Sequence, residues 1–190
     1  KKAILEGISM HSKDFPKFAV LGAGHGGKTM AAHLGLMGFS VNLYNYRDVE
    51  KEYMIDLNEI RAKGGIELEG AINGFGKLNI ISSSIKEVIE NVDVIMVVVP
   101  AYAHRYMAKA CAPYLQDGQI VVLNPGRTGG AFEFKKVLEE EGVTAKVKVA
   151  ETQTLIYTCR SVGYTRAKVF SVKRRVPIAA LPATETKSVL

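Results

Sequence analysis

The sequence predicts an α/β domain built on a doubly wound, mostly parallel sheet. Three observations carry this. Short β-branched runs alternate with helix-length segments, the pattern of strands joined by crossover helices. Asp93-Val-Ile-Met-Val-Val-Val99 is a continuous apolar run of the kind a strand shows when its sheet is covered on both faces. A glycine-rich turn joins the first strand directly to the first helix. At 190 residues, 47% of them apolar, the chain can bury a full core but holds only one ordinary domain and an appendage.

Taken in order, the first strand is Lys17-Phe-Ala-Val-Leu21, followed by a helix from about Gly26 to Met37 that Gly38 stops. Ser40-Val-Asn-Leu-Tyr44 returns as the second strand, completing a βαβ unit. Asp48 is placed to cap a second helix over Val49 to Lys63, with Met54, Ile55, Leu57 and Ile60 on its apolar face and Gly64-Gly65 ending it. Ile66-Glu-Leu-Glu69 and Lys77-Leu-Asn-Ile-Ile81 flank Asn73-Gly74 and read as an inserted hairpin outside the parallel sheet. Ser84 caps a short helix to about Glu90, and the Asp93 to Val99 strand is central. A helix over Ala101 to Tyr114, a strand Gln119-Ile-Val-Val-Leu123, a helix from Gly130 to Glu141 and a strand Lys146-Val-Lys-Val-Ala150 follow. Lys168 to Val172, through Pro177 to Leu181, is read as extended or linking.

Gly22-Ala23-Gly24-His25-Gly26-Gly27 opens the first helix, the context in which a GxGxxG match carries weight. In a Rossmann-type domain Gly22 permits the tight turn, Gly24 lets the backbone approach a pyrophosphate, and Gly27 allows close packing of helix on strand. The helix N-terminus then faces the anion. Ala31, one helical turn on, suits the same tight crossing. With Lys28-Thr29, however, these residues also satisfy GxxxxGK[ST], the triphosphate loop. That reading lacks its magnesium carboxylate, because Met96-Val-Val-Val99 leads into Pro100 and Val121-Val-Leu123 into Asn124. Lys28 is accordingly expected to be a solvated helix residue.

The second strand ends Tyr44-Asn45-Tyr46-Arg47, with no carboxylate before Asp48. An NAD site places an acid there for the ribose 2′-hydroxyl, whereas an NADP site uses a cation for the 2′-phosphate. Asn45 and Arg47 therefore predict NADP, guanidinium binding phosphate through a bidentate fork. NAD stays open, with Asn45 bonding the hydroxyl and Arg47 an exposed loop charge.

Ligands of open α/β sheets bind beyond the carboxyl ends of the strands. Val99 and Pro100 lie beside the expected nicotinamide path, and His104 is a candidate for contact with substrate or ribose, or else a capping or surface histidine. Asn124 is a further cofactor candidate; Arg127 and Thr128, in the same glycine-rich loop, are candidates for a substrate carboxylate, with a purely structural turn as the alternative. Glu151-Thr-Gln-Thr154 adds polar groups at that edge, and Lys173-Arg-Arg175 reads as a solvated cationic face.

The net charge of +6 is spread through the chain, so no nucleic-acid surface is read from it; an anionic cofactor and carboxylate substrates also favour a basic protein. No apolar run approaches the roughly 20 residues of a membrane span. Glu6 interrupts what a secretory signal would keep uncharged, so a soluble, cytoplasmic protein is expected. Cys111 and Cys159 share no CxxC or Cys/His spacing, and neither a disulfide nor a metal centre is expected.

Four segments resemble the opine dehydrogenase family, the octopine/nopaline dehydrogenase type: Gly22-Ala-Gly-His-Gly-Gly27, Val99-Pro-Ala-Tyr-Ala-His104, Asn124-Pro-Gly-Arg-Thr-Gly-Gly130 and Ala150-Glu-Thr-Gln-Thr-Leu155. The first is shared with ketopantoate reductase and glycerol-3-phosphate dehydrogenase types; the third with the fourth is more specific. The resemblance covers roughly Phe18 to Pro182. It implies reductive condensation of a 2-oxo acid, often pyruvate, with an amino acid, by hydride transfer from NAD(P)H to an imine carbon. It also implies a second, helical domain that holds the amino acid and supplies a catalytic histidine paired with an acid. That domain is absent here and is expected to begin about where this chain ends. Residues 1–16 are then an N-terminal extension, 17–182 the NAD(P)-binding Rossmann domain, and 183–190 the start of a linker. No catalytic acid or base is assigned, because His11, His25, His33 and His104 match no such family position; His33 reads as a helix-packing residue. Without an acid and a closed site, hydride transfer by this half alone is expected to be slow. A non-catalytic NADP(H) sensor module and a P-loop NTPase are the competing functions.

Overall fold

The computed structural model describes residues 15–190. His11, Glu6 and most of the expected N-terminal extension lie outside the described residues. Strands β1 (Phe18–Leu21), β2 (Val41–Tyr44), β7 (Ile81–Ser82), β8 (Val94–Val97), β9 (Ile120–Leu123), β10 (Lys148–Thr152) and β13 (Ile178–Leu181) form a seven-stranded sheet in the order β13-β10-β9-β8-β1-β2-β7. Only β13 runs antiparallel to its neighbour. β8 is central, as its apolar run predicts. Helices α3 (Ile85–Ile89), α4 (His104–Cys111) and α5 (Gly130–Glu140) cover one face with Ile89, Met107, Cys111, Phe134 and Val137, while α1 (His25–Leu36) and α2 (Leu57–Lys63) cover the other with Met30, Ala31, Leu57 and Ile60. Apolar residues from both sides of each strand are thereby removed from water, which is the main driving force for this layering.

The inserted hairpin is real but differs from its expected form. β5 (Gly65–Gly70) pairs antiparallel with β6 (Gly74–Lys77), while residues 78–82 leave it to join the main sheet as β7. The hairpin is also not isolated. β11 (Tyr157–Gly163) and β12 (Arg166–Val172) complete a second, four-stranded sheet in the order β11-β12-β5-β6. The stretch from Lys168, expected to be extended or linking, thus supplies β12 of this sheet and β13 of the main one. The second sheet packs its apolar face, Ile66, Leu68, Ala167 and Val169, onto α1. Contact is tight: a Cβ on Gly76 would lie 2.0 Å from the Ala32 carbonyl oxygen, and one on Gly35 would lie 2.3 Å from that of Lys77.

The expected long second helix is also corrected. Val49–Glu50 (β3) and Ile55–Asp56 (β4) pair antiparallel around a 3-10 turn at Lys51–Tyr53, and only Leu57–Lys63 is helical. Asp56 is the cap, its carboxylate accepting from the N–H groups of Asn58 and Glu59 at 2.9 and 3.3 Å. Asp48 instead pairs with Arg61 at 3.2 Å. Among the described residues no helix is long and apolar enough to cross a membrane.

Candidate functional site

The glycine loop lies where β1 turns into α1. Gly22 has φ +106°, and a Cβ there would sit 2.5 Å from the Val98 carbonyl oxygen and 2.8 Å from Val99 Cγ1. Gly27 lies so close to Gly22 that a Cβ would fall 1.6 Å from its carbonyl oxygen. Gly24 is different, since a Cβ there would meet no protein atom within 4 Å. It is also the N-cap of α1, with no side-chain cap and no acidic residue in the first turn. The loop therefore presents an open, uncapped helix N-terminus, which fits a pyrophosphate.

The other loop residues are held from outside. The amide of Ala23 donates to Asn45 Oδ1 at 3.3 Å. His25 Nδ1 accepts from the Ser161 amide at 3.1 Å, which fixes the tautomer with its proton on Nε2. Gly26 has Leu155, from the loop after β10, against it; a Cβ would lie 2.9 Å from Leu155 Cδ2. The second sheet and the 153–156 loop thus brace the glycine loop, a role the sequence pattern did not reveal.

Lys28 overturns its expected exposure. The side chain is fully buried, and its ammonium donates to the carbonyl oxygens of Met54, Gly163 at 3.1 Å and Tyr164 at 3.3 Å. Thr29 Oγ1 donates to the His25 carbonyl at 2.8 Å. The two residues that would serve triphosphate and magnesium in a P-loop are therefore both engaged internally.

At the end of β2, Asn45 is buried and spends its amide on the Arg47 carbonyl at 3.0 Å and on Glu50 Oε2 at 3.4 Å. Arg47 is exposed, its guanidinium 5.0 Å from the Tyr46 ring centroid, and forms no ion pair among the described residues. Glu50 is the carboxylate that reading along the chain missed. Pairing of β3 with β4 folds it back beside Asn45, and its Oε1 accepts from Tyr46 Oη at 2.8 Å.

Beyond β8 and β9, Val99 is half-buried against the core and Pro100 is exposed at the start of a 3-10 turn. Asn124 is buried, its amide turned inward to the Val122 carbonyl at 2.8 Å. Arg127 and Thr128 are exposed, Arg127 with φ +58°, a left-handed conformation uncommon for a residue with a side chain. Glu151 Oε2 accepts from the Ala131 amide at 2.8 Å, tying this loop and the start of α5 to β10. His104 is not the surface histidine of the alternative reading: it is buried, at 1% exposure, and its ring packs against Gly130 with Nε2 unpartnered.

Burial lowers the pKa of three histidines: His25, where Arg160 and Lys28 add to the effect; His33, whose Nδ1 lies 2.9 Å from Tyr157 Oη in the packing role expected of it; and His104, where Glu133 and Glu151 oppose it. In the unfolded chain each ring takes up a proton near pH 6.5, while the folded protein resists protonation to lower pH. The unfolded state then binds more protons below that pH, so stability falls on acidification and this contribution is level above it. Urea midpoints measured from pH 7 to pH 5, below the range in which Lys28 titrates, are expected to fall, most steeply below about 6.5. A midpoint that rises over the acid range would contradict these lowered values.

Comparison with known proteins agrees with this geometry. Residues 17–155 match the family model described as NAD-dependent glycerol-3-phosphate dehydrogenase N-terminus. An opine dehydrogenase from Arthrobacter sp. (strain 1C) is 38% identical over 169 residues, which are 88% of this chain and 45% of that protein. An octopine dehydrogenase structure with NADH and L-arginine superimposes with a TM-score of 0.73 at 23% identity, over 87% of this chain and 42% of that one. A yersinopine dehydrogenase structure with NADP+ bound gives 0.68 at 16%, over 90% and 42%. At these identities the two structures speak for the fold. The chain spans less than half the length of these relatives. The chain belongs to the NAD-dependent glycerol-3-phosphate dehydrogenase N-terminus family, in which it is an opine dehydrogenase-like, NAD(P)-binding Rossmann domain.

Proposed function

We propose that this chain is the cofactor-binding half of an NAD(P)H-dependent oxidoreductase acting on CH–NH bonds, which condenses a 2-oxo acid such as pyruvate with an amino acid to give an opine. The observation that carries the reading is the open space at Gly24 over an uncapped helix N-terminus, where a pyrophosphate can approach the backbone. The bound nicotinamide supplies the hydride. Residues 22–27 hold the pyrophosphate, Val99, Pro100 and Asn124 border the nicotinamide, and Arg127 and Thr128 meet the carboxylate of the 2-oxo acid. Residues 17–182 are the binding domain, and 183–190 lead toward a helical domain that holds the amino acid and supplies the acid–base pair. The engaged Lys28 and Thr29 speak against the triphosphate alternative.

NADP is the preferred cofactor in this reading, supported by the free, exposed guanidinium of Arg47 beside the end of β2. Glu50 favours a second reading, since a carboxylate at this place accepts a ribose hydroxyl and repels a 2′-phosphate. Calorimetric titration with NADPH, NADH and Mg-ATP in parallel tests both. Arg47→Glu is expected to weaken NADPH by about tenfold to a hundredfold, or roughly 1.4 to 2.7 kcal/mol, and to leave NADH nearly unchanged. Equal losses for the two would remove the NADP preference. A Glu50→Gln variant that loses NADH affinity and gains NADPH would establish the NAD reading. Binding of Mg-ATP alone would sink the dinucleotide site.

A further inference from the structure

Lys28 has a job that the dinucleotide reading of the loop leaves unexplained. A lysine ammonium carries three donors, and here all three are met by backbone carbonyls from two separate segments, Met54 and the Gly163-Tyr164 turn between β11 and β12. No carboxylate lies within ion-pair distance of it among the described residues. Burial lowers its pKa to about 8, while carbonyl dipoles directed at the ammonium favour the charged form. Its place in the first turns of α1 is the positive end of the helix, where a cation is electrostatically disfavoured. A fully buried lysine in such surroundings is costly to keep.

The segment that this ammonium anchors is the one that faces the ribose in the dinucleotide reading. Met54 is left-handed, φ +53°, and closes the 3-10 turn at the tip of the β3–β4 pair. In that pair Ile55, next to Met54, stands opposite Glu50. Glu50 in turn accepts from Asn45 and Tyr46, and Asn45 accepts from Ala23 in the glycine loop. A continuous set of contacts therefore runs from the Lys28 ammonium through Met54 and Glu50 to the groups beside Arg47.

We propose that Lys28 is a positioning residue for the adenosine end of the cofactor: by tying helix α1 and the β11–β12 turn to Met54, it fixes residues 45–54 and thereby sets discrimination at the ribose 2′ position. This rests on the dinucleotide reading of the site. Lys28 touches neither phosphate nor ribose in this role, and the pyrophosphate end of the site stays with Gly24 and the helix N-terminus.

The test compares the wild-type chain with Lys28→Met and Lys28→Gln by amide hydrogen exchange and by NADPH and NADH titration. Loss of the ammonium is expected to speed exchange of the Met54 and Leu57 amides, which donate to Lys51 and Asp48, by about tenfold or more while amides of β1 keep their protection. The ratio of NADPH to NADH affinity is expected to move toward one. Glutamine, which retains two donors, is expected to give a smaller change in both, and it serves if the methionine variant does not fold. Unchanged exchange at Met54 and Leu57 would overturn the proposal, as would loosening spread evenly over the chain with the affinity ratio preserved. Failure of the wild type to bind either dinucleotide would instead count against the dinucleotide reading, with the exchange data still deciding whether Lys28 holds the 45–54 segment.

Discussion

A Gly27→Ala chain is expected to lose both cofactor binding and much of its stability, whereas Gly24→Ala should lose binding alone. The two glycines stand three residues apart in one loop, and the space around them decides the difference. At Gly27 the added methyl would lie 1.6 Å from the Gly22 carbonyl oxygen. That atom is backbone, and Gly22 itself lies close against Val98 and Val99, where a Cβ would be 2.5 Å from the Val98 carbonyl oxygen, so α1 has to move away from β1. Such overpacking costs about 1–3 kcal/mol or more, and the helix N-terminus leaves its place with it. At Gly24 the methyl meets nothing within 4 Å, and φ is −68°, which alanine adopts freely. Gly24→Ala should therefore melt with the wild type. Its methyl stands in the opening proposed for a pyrophosphate, and binding should fall by roughly a hundredfold, ~2.7 kcal/mol. Thermal melts and dinucleotide titrations of both variants are the measurements. Wild-type affinity in Gly24→Ala would mean that this opening is not the phosphate site.

The parts of the fold that were legible in the sequence are those whose signal is local. β1, the glycine turn, α1 and β2 lie consecutively, and the buried strands β8 and β9 announce themselves by apolar runs. Residues 49–56 were not legible because Met54, Ile55, Leu57 and Ile60 have helical spacing, whereas only Leu57–Lys63 is helical and the segment before it pairs Val49 with Asp56 and turns left-handed at Met54. Tertiary pairing overrode that period. β11 escaped notice because its inward residues, Tyr157, Cys159 and Ser161, are not a run of strong strand formers and its register shifts twice. The site divides in the same way. Glycine spacing marks the loop between β1 and α1, but the groups that hold it come from far along the chain. His25 is met by Ser161 and Lys28 by Gly163 and Tyr164, across 135 to 136 residues in sequence. No periodicity records such partners. Glu50 was hidden for a smaller reason, a reversal of the chain within ten residues of Asn45.

The loop that carries Arg127 and Thr128 depends on a second glycine, and Gly126→Ala is expected to cost about 2–3 kcal/mol of stability. A methyl at Gly126 would lie 2.1 Å from Glu151 Oε2 and 2.4 Å from Glu151 Cβ. Oε2 is the atom that accepts from Ala131, so the methyl displaces the carboxylate and leaves a first-turn N–H of α5 without its acceptor. Gly129, the N-cap, has no side chain to replace it, and His104 already fills the space behind Gly130. Loss of the latch should therefore reach the loop between Asn124 and Gly130 before it reaches the core. A double-mutant cycle with Glu151→Gly separates crowding from other causes, because removing both Cβ and carboxylate makes room for the new methyl. Gly126→Ala should then cost markedly less in the Glu151→Gly background than in the wild type, with a coupling of about 1 kcal/mol or more by urea denaturation. Glu151→Gln keeps an acceptor oxygen and should lose less than Glu151→Gly. Additive costs in the cycle would mean that Gly126 serves the turn itself and leaves the carboxylate no part in holding the loop that carries Arg127.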